Sequence, residues 1–150
     1  MHIFITGGTG FLGVHLVNFL IKNGHFVTVY DNFSNSKPML SKNNNLKIIE
    51  GDILDYSKLS NSMKNVDIVI HLAAQISVKD SIDYPENTLK INVDGTQNLL
   101  ESCLENKINN LIAASSAAVF GNSSNIPLTE ESLKNPISPY GKSKLIMEEK

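Results

Sequence analysis

The chain has 150 residues, of which 41% are hydrophobic and 19% charged, with a formal net charge of −2; that suffices for one compact domain with a real core. This balance gives no basic footprint for nucleic acid or an anionic membrane surface, no run of about 18 apolar residues suggests a membrane span, and MHIFITGG lacks the basic start and cleavage pattern of a secretory leader. All thirteen basic residues are lysine, which removes the guanidinium fork from phosphate recognition, and the lone Cys103 allows no internal disulfide and favours a reducing, cytoplasmic setting.

His2–Thr6 reads as a buried strand. Gly10–Asn23 reads as a helix whose apolar positions are Phe11, Val14, Leu16, Val17, Leu20 and Ile21, stopped by Gly24. Phe26–Tyr30 is a second strand, Asn32–Asn45 a polar loop and Leu46–Glu50 a third strand. Asp55 caps a short helix to about Met63. Val66–Leu72 is the fourth strand. Pro85–Asn106 carries one long helical pattern, which buries Cys103 as a structural thiol. Asn110–Ser115 is the fifth strand, Gly121–Asn135 a polar connection, and a last helix begins near Ser138. Near-continuous apolar strands alternating with helices imply a doubly wound α/β fold: a parallel sheet with helices on both faces. The chain stops at Lys150 inside a helical pattern with no C-cap, so the expectation is a fragment, truncated before the last strands of its sheet.

FITGGTGFLG places Gly7, Gly10 and Gly13 at the first strand-to-helix turn. A tight turn needs a residue free to take positive φ, and close approach of a pyrophosphate needs missing side chains. The helix N-terminus then offers free N–H groups and the positive end of its dipole. The spacing is G-x-x-G-x-x-G rather than the commoner G-x-G-x-x-G, but its place after a strand and before a helix supports dinucleotide binding. Asp31 ends the second strand, where a carboxylate can accept hydrogen bonds from an adenosine ribose. It would repel a 2′-phosphate, and no arginine is present to hold one, so NAD is favoured over NADP. Asp52 either binds the adenine amino group or simply opens the next turn.

SPYGKSK is the second chemical stretch. Ser138 suits a helix N-cap and Pro139 the first helical position. Tyr140 and Lys144 then lie one turn apart on the same face. A phenol ionises only near pH ~10, and a nearby ammonium favours the phenolate. The pair is thus a plausible base for work near neutral pH.

TGGTGFLG, DNFSNSK, GDI, HLAAQ, NVDGTQNLL, SSAAVFG and SPYGKSK, in this order along the whole chain, resemble the extended short-chain dehydrogenase/reductase family. Within it the chain is most similar to NAD-dependent nucleotide-sugar epimerases of the UDP-glucose 4-epimerase type, DNFSNSK being the most epimerase-like piece. The resemblance implies that Phe11 and Leu12 present backbone N–H groups to the pyrophosphate. It places Asn32, Asn35 and Ser36 around the ribose with Asp31, and Asp52 and Ile53 beside adenine. Leu72, Ala73, Ala74 and Gln75 would line the cofactor groove, and Asn92 would order the site from the long helix. Ser116, Tyr140 and Lys144 align with the family's catalytic set, Lys144 also meeting the nicotinamide ribose. His71 reads as a satisfied polar residue at a strand end.

The implied activity is inversion at C4 of a UDP-sugar through a 4-keto intermediate, with tightly held NAD. A related decarboxylase, dehydratase or reductase on nucleotide sugars is the alternative. A dehydrogenase of non-sugar substrates and a non-catalytic NAD sensor on the same fold are more distant ones. Family dehydratases carry acidic residues just after the catalytic Ser/Thr; here Ala117 and Ala118 stand there, which weighs against elimination. Phe120 replaces the family's usual tyrosine. Relatives are roughly twice as long, so residues 1–150 would form the NAD-binding part, with most of the UDP-glucose/UDP-galactose-type pocket further along. The resemblance also implies a homodimer for the full-length protein, and weak NAD binding without useful turnover for residues 1–150 alone.

Overall fold

The structure, a computed structural model, describes residues 1–35, 40–124 and 126–150. They form two compact units, Met1–Ala73 with Asn98–Ala114, and Ala74–Gln97 with Ser115–Lys150.

The first unit holds the sheet. Its strands are β1 (His2–Thr6), β2 (Phe26–Asp31), β3 (Leu46–Glu50), β4 (Ile68–His71) and β5 (Leu111–Ala113). All neighbouring pairs are parallel, in the order β3-β2-β1-β4-β5. β4 and β5 are shorter than their apolar runs suggest. The order reverses between β1 and β4, which is where ligands bind in open α/β sheets. Crossover connections put helix α1 (Phe11–Lys22) on one face and α2 (Tyr56–Ser62) and α5 (Gly95–Glu105, within this unit from Asn98) on the other.

Register explains the core. Ile3 and Ile5 of β1 sit beside Val27 and Val29 of β2. Together with Ile70 and Val17 they form a buried cluster against which Leu16, Leu20 and Ile21 of α1 pack. The intervening residues point to the opposite face. There Phe4 and Tyr30 are fully buried, their ring centroids 5.8 Å apart. Leu59, Met63 and Leu99, from α2, its end and α5, are also fully buried. Side-chain bonds join the two helical segments: Asn106 Nδ2 donates to the Ser60 carbonyl at 3.2 Å, and Asn98 Nδ2 to the Ile53 carbonyl at 3.0 Å. Cys103 is buried as expected, and burial pushes its thiol up to about 11.

The second unit contains α3 (Val78–Asp83), α4 (Pro85–Leu89), a π turn (Lys90–Asp94), the start of α5, a 3₁₀ turn (Ala117–Phe120) and α6 (Pro139–Glu148). Two of these correct the sequence reading. The pattern over Pro85–Asn106 is not one α-helix, because the Gly95 N–H bonds the Lys90 carbonyl five residues back. α3 was not expected at all, although Ser77 caps it by accepting from the Asp80 N–H. α6 begins as read: Ser138 Oγ accepts from the Gly141 N–H at 3.0 Å, with Pro139 at its first position. Among the described residues no helix is long and apolar enough to cross a membrane.

Candidate functional site

In the first unit the glycine loop is shaped by its own backbone. Gly7 has φ +70, and a Cβ there would lie 2.6 Å from the Ala73 nitrogen. A Cβ on Gly13 would lie 2.6 Å from the Gly7 carbonyl oxygen, so this glycine lets α1 close onto the loop. Gly10 differs: its Cβ would meet only the Gly7 oxygen, at 3.3 Å. Gly10 is also the N-cap of α1 and supplies no side-chain cap. Phe11 and Leu12, the first helical residues, are 88% and 59% exposed. The loop therefore offers backbone donors at a helix start with no side chain in the way.

Asp31 acts as a turn aspartate, the alternative its place at a strand end allows, and it also braces the glycine loop, which the sequence did not reveal. Its Oδ2 accepts from the Thr9 N–H at 3.0 Å and its Oδ1 from the Phe33 N–H at 2.9 Å. It thus ties the glycine loop to the end of β2, and each oxygen keeps a further lone pair. Asp52 does open the next turn, its Oδ1 accepting from the Leu54 N–H at 2.9 Å. Its Oδ2 accepts from Asn32 Nδ2 at 3.0 Å, bringing two of the expected nucleotide residues together. The adjacent glycine has a packing reason: a Cβ on Gly51 would lie 2.3 Å from the Tyr30 ring. The Tyr30 hydroxyl donates to the Asp52 carbonyl at 3.0 Å. Burial, then the charges of Asp55 and Asp52, push the Tyr30 phenol up to about 12. Ile53 is buried, Asn35 is exposed, and Ser36 lies outside the described residues. Leu72 and Ala73 follow β4, the Leu72 N–H bonding the Thr6 carbonyl at 3.0 Å and the Ala73 N–H the Thr6 hydroxyl at 3.3 Å. His71 is satisfied as read, Nδ1 lying 2.6 Å from Thr6 Oγ1 in the core.

The second unit holds Ala74, Gln75, Asn92, Ser116, Tyr140 and Lys144. Asn92 is 1% exposed and its carboxamide clamps the Gln75 backbone. Oδ1 accepts from the Gln75 N–H at 2.8 Å, while Nδ2 donates to the Gln75 carbonyl at 3.0 Å and to Ser143 Oγ at 2.9 Å. The π turn sits at this residue, as such turns commonly do at functional sites. Replacing Asn92 with Ala strands the Gln75 amide and carbonyl and is expected to cost roughly 2–4 kcal/mol, read by urea unfolding of the full chain. Gln75 Oε1 is buried without a hydrogen-bond partner among the described residues.

Ser116 precedes the 3₁₀ turn in extended conformation, and its Oγ accepts from the Ala118 N–H at 3.2 Å. This leaves the hydroxyl proton to donate elsewhere. The turn packs against α6. Gly141 makes that approach close, since a Cβ there would lie 2.5 Å from the Ala118 carbonyl oxygen. Sequence reasoning missed this role; the signal was a glycine directly after Tyr140, where helix propensity disfavours it. Ser143, also missed, is fully buried and donates to the Tyr140 carbonyl at 2.7 Å. Lys144 is 4% exposed. Burial lowers its proton affinity, and the Glu148 carboxylate opposes that shift.

The sheet order and the glycine loop define a Rossmann-like fold. Residues 3–150 match the model of the NAD dependent epimerase/dehydratase family, and the chain belongs to that family. It is 41% identical over 159 residues to the UDP-glucose 4-epimerase of Yersinia enterocolitica, covering 99% of this chain and 47% of that protein. It is 39% identical over 119 residues to the UDP-N-acetyl-alpha-D-glucosaminuronate decarboxylase of Bacillus cytotoxicus, covering 78% of this chain and 37% of that one. The crystal structure of UDP-glucose 4-epimerase from Brucella ovis in complex with NAD superposes with a TM-score of 0.93 at 37% identity, over 99% of this chain and 46% of that one. The chain thus spans about half the length of the relatives it matches.

Proposed function

We propose that the protein is an NAD-dependent nucleotide-sugar 4-epimerase, which inverts C4 of a UDP-sugar through a 4-keto intermediate. The observation that carries this reading is the second unit's build: a Ser138-capped helix bears Tyr140 and Lys144 one turn apart, and Gly141 lets it close onto the turn led by Ser116.

The residues present fit NAD. Gly10 leaves open, at the start of α1, the volume a pyrophosphate needs, and the N–H groups of Phe11 and Leu12 would meet it. Asp31 retains lone pairs for ribose hydroxyls, and the absence of arginine disfavours a 2′-phosphate. The orphaned Gln75 Oε1 is a further acceptor. When bound, the cofactor supplies the hydride acceptor and donor for C4. Tyr140 would take the proton from the sugar 4-hydroxyl and return it to the C4 oxygen of the turned 4-keto sugar. Ser116 would donate a hydrogen bond to the C4 oxygen, bridging it to the Tyr140 oxygen while keeping its own proton. Lys144, one turn after Tyr140 on the same helix, would hold the nicotinamide ribose. Because the redox change cancels, no net oxidant is needed.

The decarboxylase relative supports a second reading, another redox enzyme acting on nucleotide sugars. Elimination fits poorly, since Ala117 and Ala118 supply neither acid nor base. The proposal includes a homodimer of the full-length protein, and the exposed Ile82, Tyr84 and Leu89 supply apolar surface for it.

The test incubates the full-length protein, beside residues 1–150, with UDP-galactose and no added NAD. UDP-glucose from the full-length protein alone is the expected result. No product, with NAD released on denaturation, overturns the epimerase assignment for this sugar and favours the decarboxylase and reductase group.

A further inference from the structure

Glu148 lies one turn after Lys144 on α6, a place that the sequence reading left without a role. Its side chain is only 24% exposed, and both oxygens are engaged. Oε1 accepts from the hydroxyl of Ser115, the residue directly before Ser116. Oε2 receives the Lys134 ammonium at 2.5 Å, from the connection that leads into α6. These bonds, Lys134's first, hold the Glu148 carboxyl below the usual carboxylate range, so it is charged at neutral pH. Its charge in turn favours the buried Lys144 ammonium against the cost of burial.

We propose that Glu148 is a positioning residue of the candidate catalytic set, tying the Tyr140–Lys144 helix to the segment that carries Ser116 and holding a carboxylate one turn after Lys144 on that helix. An exposed ion pair contributes little. Here one carboxylate joins three separate pieces of chain: α6, the residue before Ser116, and the connection at Lys134. As a residue Glu148 is exposed like the other charges on the elements packed against α6, but among the described residues it is the carboxylate that bonds Ser115. Lys79, Asp80 and Asp83 of α3, Glu86 of α4, and Lys90 and Asp94 of the π turn are all exposed, and the 3₁₀ turn carries no ionisable side chain. On α6 itself, Lys142 is exposed, as is Glu149 just beyond its end.

The role in turnover rests on the epimerase reading, whereas the effect on Lys144 does not, so both are measured on the full-length protein. Glu148→Gln keeps acceptor and shape but removes the charge; Ser115→Ala removes one tie and keeps the charge. The Lys144 titration is followed by NMR of 13C-labelled lysine, its signal assigned by loss in Lys144→Met. The expected result is a Lys144 midpoint lower by roughly half a pH unit or more in Glu148→Gln. The alkaline limb of kcat with UDP-galactose moves the same way, with KM within about twofold. Ser115→Ala lowers kcat several-fold with the limb unmoved. An unchanged Lys144 midpoint in a folded Glu148→Gln variant overturns the proposal and leaves a surface ion pair. Wild-type protein inactive on UDP-galactose overturns the epimerase reading instead, and the Lys144 midpoint still decides the role of Glu148.

Discussion

Tyr140→Phe in the full-length protein is expected to lower kcat by about 10²–10⁴-fold, the range that a positioned general acid–base group contributes. The change removes one oxygen. It touches neither the Ser138 cap of α6 nor the close packing of Gly141 on the Ala118 carbonyl, so the helix should keep its place. KM and retained NAD should therefore change little, a pattern that marks an interaction made in the transition state. Comparing initial rates with the NAD released on denaturation checks both halves. Retained turnover would remove Tyr140 as the base. An unaffected NAD-dependent binding function in a protein without turnover would instead favour a sensor.

Gly7→Ala is expected to be the most damaging small substitution in the nucleotide loop, and Gly10→Ala serves as its partner experiment. At Gly7 the new methyl meets the Ala73 nitrogen at 2.6 Å in a backbone held at φ +70. Left-handed strain of ~1–2 kcal/mol and overpacking of ~1–3 kcal/mol together predict a loss of about 2–5 kcal/mol. At Gly10 the backbone is extended, φ −70 and ψ 174, and the nearest atom is 3.3 Å from the new carbon. Stability should fall there by less than ~1 kcal/mol, while NAD retention is lost because the methyl occupies the pyrophosphate's approach. Thermal unfolding and NAD content, measured on both variants, separate the two effects. Equal destabilisation would mean that Gly10 is needed by the fold rather than by the cofactor. Preserved NAD content in Gly10→Ala would remove the helix start as the pyrophosphate site.

Much of the fold was legible because its signals are local. The runs HIFIT and FVTVY became strands β1 and β2 close to their read bounds, since apolar continuity suits strands buried on both faces, and LKIIE became the exposed edge strand β3. Asp55 and Ser138 were recognisable as caps because capping is settled within three residues, and both side chains accept the expected N–H. α3 escaped because its six residues, VKDSID, carry too little periodicity to stand out. The π turn escaped because helical spacing cannot register one extra residue per turn. Gly95 and Asn92, both poor helix formers in mid-pattern, were its only trace.

The sequence by itself determined the parallel α/β class, the glycine loop after the first strand, the missing guanidinium groups and the one-turn spacing of Tyr140 and Lys144. Each depends on residue type and on spacing along a single element. The tertiary structure alone decided that Asp31 braces the glycine loop at the Thr9 N–H, that Asn92 grips the Gln75 backbone, and that Gly141 opens room for the Ala118 carbonyl. It also decided that Glu148 meets Ser115 and Lys134. These contacts join residues far apart in the chain, and such pairing is set by how strands and helices pack, which no local spacing encodes.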